Sequence, residues 1–178
     1  MSFLRQISLL FIGVFILASS QLNAQEVGNK AFNLMLMGLL DESVTPIDVQ
    51  TLRSRTDNVL LLDARERDEY SVSHLPNARH VGYDAFDLER LKGTPKDAEI
   101  VVYCSVGYRS EKIGERLLDA GFSNVKNLYG GIFEWSNQGL PLENEDGTTA
   151  QRIHAYDQIW GIWVSGDRIE KVYSNAKE

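Results

Sequence analysis

Cysteine is almost missing from this chain: among 178 residues, Cys104 is the one thiol. It has no partner for a disulfide within its own chain. Histidine is scarce too, with three residues. His80 and His154 stand at no metal-ligand spacing from the cysteine or an acid, so no metal site is expected and no cofactor is called for. Positive charge is short: 18 Lys and Arg against 25 Asp and Glu give a formal charge of −7. That balance does not favour nucleic acid or an anionic membrane surface as a partner. Long apolar runs are lacking as well. The longest, Ile7–Ala18, is about a dozen residues where a membrane span needs about 20. There are no internal repeats and no low-complexity tracts. What remains is the composition of a soluble globular protein, 43% apolar and 24% charged. It is long enough for one domain with a real core plus extra segments.

The ends differ from the middle. "MSFLRQISLLFIGVFILASSQLNAQ" has a charged start at Arg5, a short apolar stretch, and small polar residues up to Ala24. This is the layout of a secretory signal peptide over 1–24, cleaved after Ala24. Leu22 makes the site an imperfect match, which leaves an uncleaved anchor as the alternative. The expectation is a periplasmic or secreted protein with no stable membrane insertion after cleavage. In such an oxidising compartment a lone thiol is either a buried bystander or a reactive group.

Residues 25–44 hold an apolar helical extension, "AFNLMLMGLLDES". Thr45-Pro46 reads as an N-cap with proline at the first position of a helix running to about Arg55. "NVLLLDAR" (58–65) and "DAEIVVY" are continuous apolar runs ending in polar residues, the pattern of buried parallel strands. "ARHVGY" and "NVKNLYG" add two short strands. "ERDEYSVSH", "DAFDLERL", "EKIGERLLDAGF" and "GIFEWSNQG" add helices, Gly114 allowing close approach to the sheet and Gly121 closing its helix. Strands alternating with helices indicate an α/β domain with a mainly parallel sheet. The segment 143–178 reads as an extension packed on that domain. In it Ile153, Tyr156, Ile159, Trp160 and Trp163 recur at the spacing of one helical face.

Cys104 stands at the carboxyl end of a strand, where open α/β sheets bind ligands. The following residues enter a helix, whose unpaired N–H groups and dipole favour a thiolate. Gly107 lets the loop curl so that amides converge on a thiolate, a persulfide or an oxyanion. Arg109 adds a planar cationic fork.

"CSVGYRS" resembles the active loop of rhodanese-like domains, Cys-x-x-Gly-x-(Arg/Thr/Ser). "LLDARERDEYSVSHLPNARHV" is similar to the first signature of that family, and "GGIFEWSNQGLPL" to its closing signature. The three motifs occur in order over residues 45–142. The resemblance implies a parallel sheet of about five strands with helices on both faces, and sulfurtransferase chemistry through a persulfide on Cys104. A small anionic sulfur donor such as thiosulfate and a thiophilic acceptor would be the partners. Ser105, Val106, Gly107, Tyr108, Arg109 and Ser110 would hold the donor, Arg109 orienting it. Related phosphatases and arsenate reductases separate Cys and Arg by five residues; here four intervene and Ser110 stands at the next position, which disfavours phosphate chemistry. A rhodanese fold kept as a slow thiol-handling or binding module is the rival.

Several residues carry plainer readings. Asp63 is expected to accept hydrogen bonds that hold its neighbouring loop. Arg65 either helps bind an anionic substrate or pairs with Glu69 or another surface acid. His74 and Trp135 read as structural, Glu134 and Asn137 as solvated, and Gly130-Gly131 as a turn into a helix. Val106 and Tyr108 should colour the pocket mouth.

Overall fold

Five short segments supply the strands of the main sheet: β1 (Pro46–Ile47), β2 (Leu60–Asp63), β3 (Arg79–His80), β4 (Ile100–Tyr103) and β5 (Val125–Leu128). The computed structural model describes residues 27–55, 59–166 and 168–173, so the expected leader 1–24 lies outside the described residues. The sheet order is β1-β5-β4-β2-β3 and every pairing is parallel. β4 is buried along its whole length, which is why it reads as unbroken apolar sequence: both faces of a parallel sheet are covered. Ile100 and Val102 point to one face, packed with Ile113 and Leu117 of α4 (Tyr108–Asp119). Val101 and Tyr103 point to the other. There they join α1 (Lys30–Leu39), α2 (Val49–Arg53) and α5 (Gly131–Asn137) through Phe32, Leu36, Leu52, Ile132 and Phe133. Each of these fully buried side chains is worth about 1.5–3 kcal/mol of transfer free energy.

The expected helix start at Thr45-Pro46 is not observed. Pro46–Ile47 is instead an edge strand registered against Asn127 and Leu128. The Thr45 and Ile47 carbonyls accept the N–H groups of Asn127 and Tyr129 at 2.9 and 3.0 Å. An edge strand tolerates proline because only one of its sides has to pair. The helix begins at Val49, where the Asp48 carboxylate accepts the Thr51 N–H at 2.7 Å. Asp48 is the better cap, and it moves the boundary. "ERDEYSVSH" becomes α3 (Arg67–Val72). "DAFDLERL" is shorter than expected, one 3₁₀ turn at Leu88–Leu91 capped by Asp87. Gly114 does approach a neighbour closely, but the neighbour is Val44 rather than the sheet: a Cβ there would lie 2.9 Å from a Val44 methyl.

The tail departs most from expectation. No single helical face forms. Ile153 belongs to β6 (Arg152–His154), which pairs in parallel with β7 (Glu170–Val172). Ile159 is exposed, and Trp160–Trp163 is a 3₁₀ turn. The Asp157 carboxylate accepts the N–H groups of Ile159 and Trp160 at 2.8 and 2.9 Å, which starts a new turn there. Pairing with β7 draws Ile153 into extended backbone. The tail nevertheless packs on the sheet domain. Trp163 stacks on Phe32 with ring centroids 5.4 Å apart. Asn137, expected to be solvated, donates to the Trp163 carbonyl and accepts the Ser165 N–H. Glu134 is likewise buried and accepts the Gly28 N–H at 3.0 Å, tying in the N-terminal side. Trp135 is core, its indole N–H donating to the Pro141 carbonyl at 2.9 Å.

Candidate active site

The strand–loop–helix path from β4 into α4 puts Cys104 at the floor of a cavity of about 320 Å³. The Gly107 N–H donates to Cys104 Sγ at 3.2 Å. Gly107 adopts φ +123°, a conformation side-chain-bearing residues rarely take, and it caps α4. The first intrahelical bond runs from the Glu111 N–H to the Gly107 carbonyl. The amides of Tyr108, Arg109 and Ser110 therefore belong to the open helix end, which favours negative charge.

The outward side of the loop is fastened by α5. The N–H groups of Ile132 and Phe133 donate to the carbonyls of Cys104 and Ser105 at 2.9 and 3.1 Å. This contact requires glycine at 131. Its φ is +56°, and a Cβ there would lie 2.4 Å from the Cys104 carbonyl oxygen. The expected turn glycine is thus also a spacer between two pieces of backbone.

Of the residues expected at the site, Ser105, Val106, Tyr108 and Arg109 line the cavity beside Cys104. Gly107 contributes through its N–H. Ser110 does not face the cavity with its side chain. It is fully buried, and its hydroxyl donates to Asn127 Oδ1 at 2.7 Å while Asn127 Nδ2 donates to the Gly107 carbonyl at 3.0 Å. Its side chain holds the loop rather than a donor.

Arg65 is a clear correction to the substrate-binding reading. It is fully buried, donates to both Asp63 oxygens, and reaches the Ser73 carbonyl at 2.7 Å. Its partner is not Glu69 and not a surface acid. Burial opposes its charge, but Asp63 outweighs that and keeps its pKa above the ordinary value. Asp63 has the expected role: Oδ1 also accepts the Arg65 N–H at 2.9 Å. His74 stacks on Tyr70 with ring centroids 3.9 Å apart and does not line the cavity.

Glu69 is the site residue that reasoning on separate segments missed. It projects from α3 and is 3% exposed. Arg109 Nη1 and Nη2 donate to its Oε2 and Oε1 at 2.6 and 2.8 Å. Ser105 Oγ lies between them, accepting from Arg109 Nη2 at 3.1 Å and donating to Glu69 Oε1 at 3.3 Å. Burial favours neutral Glu69, yet the Arg109 hydrogen bonds and charge hold its pKa below the usual value. Arg109 is correspondingly raised, against its own burial, first by Glu69 and then by the Cys104 charge. Its face lies 5.4 Å from the ring centre of Tyr156. The rest of the wall is apolar: Leu39 from α1, with Tyr156 and Trp160 from the tail. Chemically, the arrangement can hold an anionic sulfur on backbone amides beneath an apolar opening.

A family model described as the rhodanese-like domain matches residues 45–138. A sulfurtransferase from Allochromatium vinosum is 35% identical over 107 residues, 58% of this chain and 99% of that protein. Of some other curated relatives the chain spans less than half the length. Among solved structures, a rhodanese-like domain from Anabaena is 27% identical with a TM-score of 0.52, covering 56% of this chain and 78% of that one. A thiosulfate sulfurtransferase from Pseudomonas aeruginosa is 25% identical with a TM-score of 0.55, covering 72% of this chain and 26% of that one. A five-stranded parallel sheet covered by helices on both faces, a strand-end cysteine loop and a sequence match across the whole sheet domain agree: this chain belongs to the rhodanese-like domain family.

Proposed function

We propose that the chain is a sulfurtransferase that carries sulfane sulfur as a persulfide on Cys104. The observation that carries this reading is the Gly107 N–H held 3.2 Å from Sγ at the open N-terminus of α4. It favours a thiolate before transfer and an anionic terminal sulfur after it. With thiosulfate, the Cys104 thiolate attacks the outer sulfur. A new S–S bond forms, the donor S–S bond breaks, and sulfite leaves with the electron pair. A thiophilic acceptor such as cyanide then takes the terminal sulfur as thiocyanate and returns the thiolate. No general base is required if the thiol is already ionised.

The names of the A. vinosum and P. aeruginosa proteins support the same class of reaction. Phosphate transfer is disfavoured, since Ser110, where a longer loop would place its arginine, spends its hydroxyl on Asn127. The leader-like residues 1–24 support action in the periplasm or outside the cell. The test is mass spectrometry of the purified protein after thiosulfate, with one added sulfur expected on Cys104. Cys104→Ser should take up none and form no thiocyanate while keeping its fold. Thiocyanate formation near the wild-type rate in that variant would overturn the mechanism.

A further inference from the structure

We infer that the wall formed by Leu39, Tyr156 and Trp160 binds the apolar body of an organic sulfane-sulfur donor, in preference to a bare inorganic one. The inference rests on the persulfide reading above and names the substrate class for that site.

Size is the first argument. A cavity of about 320 Å³ equals the liquid volume of about ten waters. That is far more than an inorganic dianion fills, and it is near the lower end of small-molecule sites.

Charge is the second. Among the described residues that line the cavity, Arg109 is the one cation. Both terminal nitrogens of its fork are taken by Glu69, and its face lies beside Tyr156. The pair has no net charge to offer a dianion, which leaves the backbone amides as the anion site. Those amides match one anionic sulfur, and the remaining surface matches carbon.

The third argument is conformational. Tyr156 has φ +66°, a left-handed conformation that costs an ordinary residue about 1–2 kcal/mol. Its neighbours impose it: Ile153 and Ala155 are fully buried, β6 is registered on β7, and the Tyr156 N–H donates to His154 Nδ1 at 3.2 Å. This strained residue brings its ring to the cavity, and such strain clusters at ligand sites. Leu39, Tyr156 and Trp160 all lie outside residues 45–138, the span shared with the family. The wall therefore comes from segments on either side of the span that the family model matches.

The step is that of a matched pair of donors, R–SO₂–S⁻. Cys104 thiolate attacks the terminal sulfur, its new S–S bond forms, the donor S–S bond breaks, and the sulfinate R–SO₂⁻ leaves with the electron pair. The experiment compares benzenethiosulfonate with methanethiosulfonate, reading persulfide on Cys104 by mass spectrometry and the second-order loading rate. The phenyl donor should be faster by about tenfold or more, the scale set by burying part of a ring. Intrinsic reactivity is separated by variants: the phenyl-to-methyl ratio should fall at least several-fold in Trp160→Ala and in Tyr156→Asn, asparagine being a residue that tolerates the left-handed backbone. On the wild-type protein, benzenesulfinate should slow alkylation of Cys104 at concentrations where methanesulfinate does not. Equal loading rates, or a ratio unchanged in both variants, would overturn the inference while leaving the persulfide reading intact. Failure of both donors and of thiosulfate to load sulfur would sink the two together.

Discussion

Arg109 and Glu69 meet fork to fork across the mouth of the thiol loop, 2.6 and 2.8 Å apart, from helices on different parts of the chain. Their side chains are only 16% and 3% exposed. The pair changes what Arg109 is expected to do. A free guanidinium would capture an anionic donor, whereas this one is committed to Glu69. Arg109→Ala should therefore act on stability as well as on the donor. Leaving Glu69 buried without its counterion should cost about 3 kcal/mol, a fall in Tm of roughly 6–12 °C. Glu69→Gln keeps the shape and releases the cation, so the apparent KM for thiosulfate should drop several-fold at low salt. Steady-state thiosulfate-to-cyanide assays with thermal melts read both effects. A KM that stays put in a well-folded Glu69→Gln would remove Arg109 from anion capture.

The spacing between Gly131 and Cys104 predicts a second effect. Gly131→Ala places a methyl 2.4 Å from the Cys104 carbonyl and 2.6 Å from that of Ser105. The loop must shift or α5 must lift away. Sulfur loading on Cys104 should fall at least tenfold, with a stability loss of about 2 kcal/mol or more. Gly147→Ala, also at positive φ but with nothing near its Cβ, is the control for backbone strain alone and should leave loading intact.

Packing of the tail is tested by Trp163. Its ring stacks on Phe32, so Trp163→Ala should destabilise by about 2 kcal/mol and lower Tm by roughly 4–8 °C. Ile159→Ser, at a side chain 74% exposed, should change stability by no more than about 0.5 kcal/mol. Similar Tm values for the two variants would mean that the aromatic turn contributes nothing to the core.

Acidification should destabilise the protein in two stages. Burial first, and then the nearby Arg65 and Arg109, lower the pKa of His154 from 6.5, with Glu69 and Asp68 opposing. Glu69 is itself lowered from 4.5. In both cases the unfolded chain binds the proton more readily. The stabilisation is complete above the unfolded pKa and is lost as pH falls through the folded one. Tm should be level near pH 8, begin to decline below about pH 6.5 and fall more steeply below about pH 4.5. His154→Gln should remove the first stage only. A Tm that rises between pH 7 and 5 would contradict the assigned directions.

What the amino-acid order determined is what local chemistry can determine. Cys104, Gly107 and Arg109 share one loop, and the runs "LLLD" and "IVVY" are apolar throughout, so strand, thiol and helix start were legible along with the α/β class. Asp63 was legible for the same reason, its partner Arg65 lying two residues away. The tertiary structure decided everything that depends on distant partners. Glu69 is 40 residues from Arg109. Leu39 and Trp160 reach the cavity from opposite ends of the described chain. Arg65 looked available until packing buried it. The tail shows the same limit in secondary structure: its apolar spacing fits a helix, but β6 found β7 and Asp157 started a new turn. Periodicity records which side chains prefer to leave water. Which surface receives them, and which charge loses its solvent to another, is set only when segments far apart in sequence compete for the same contacts.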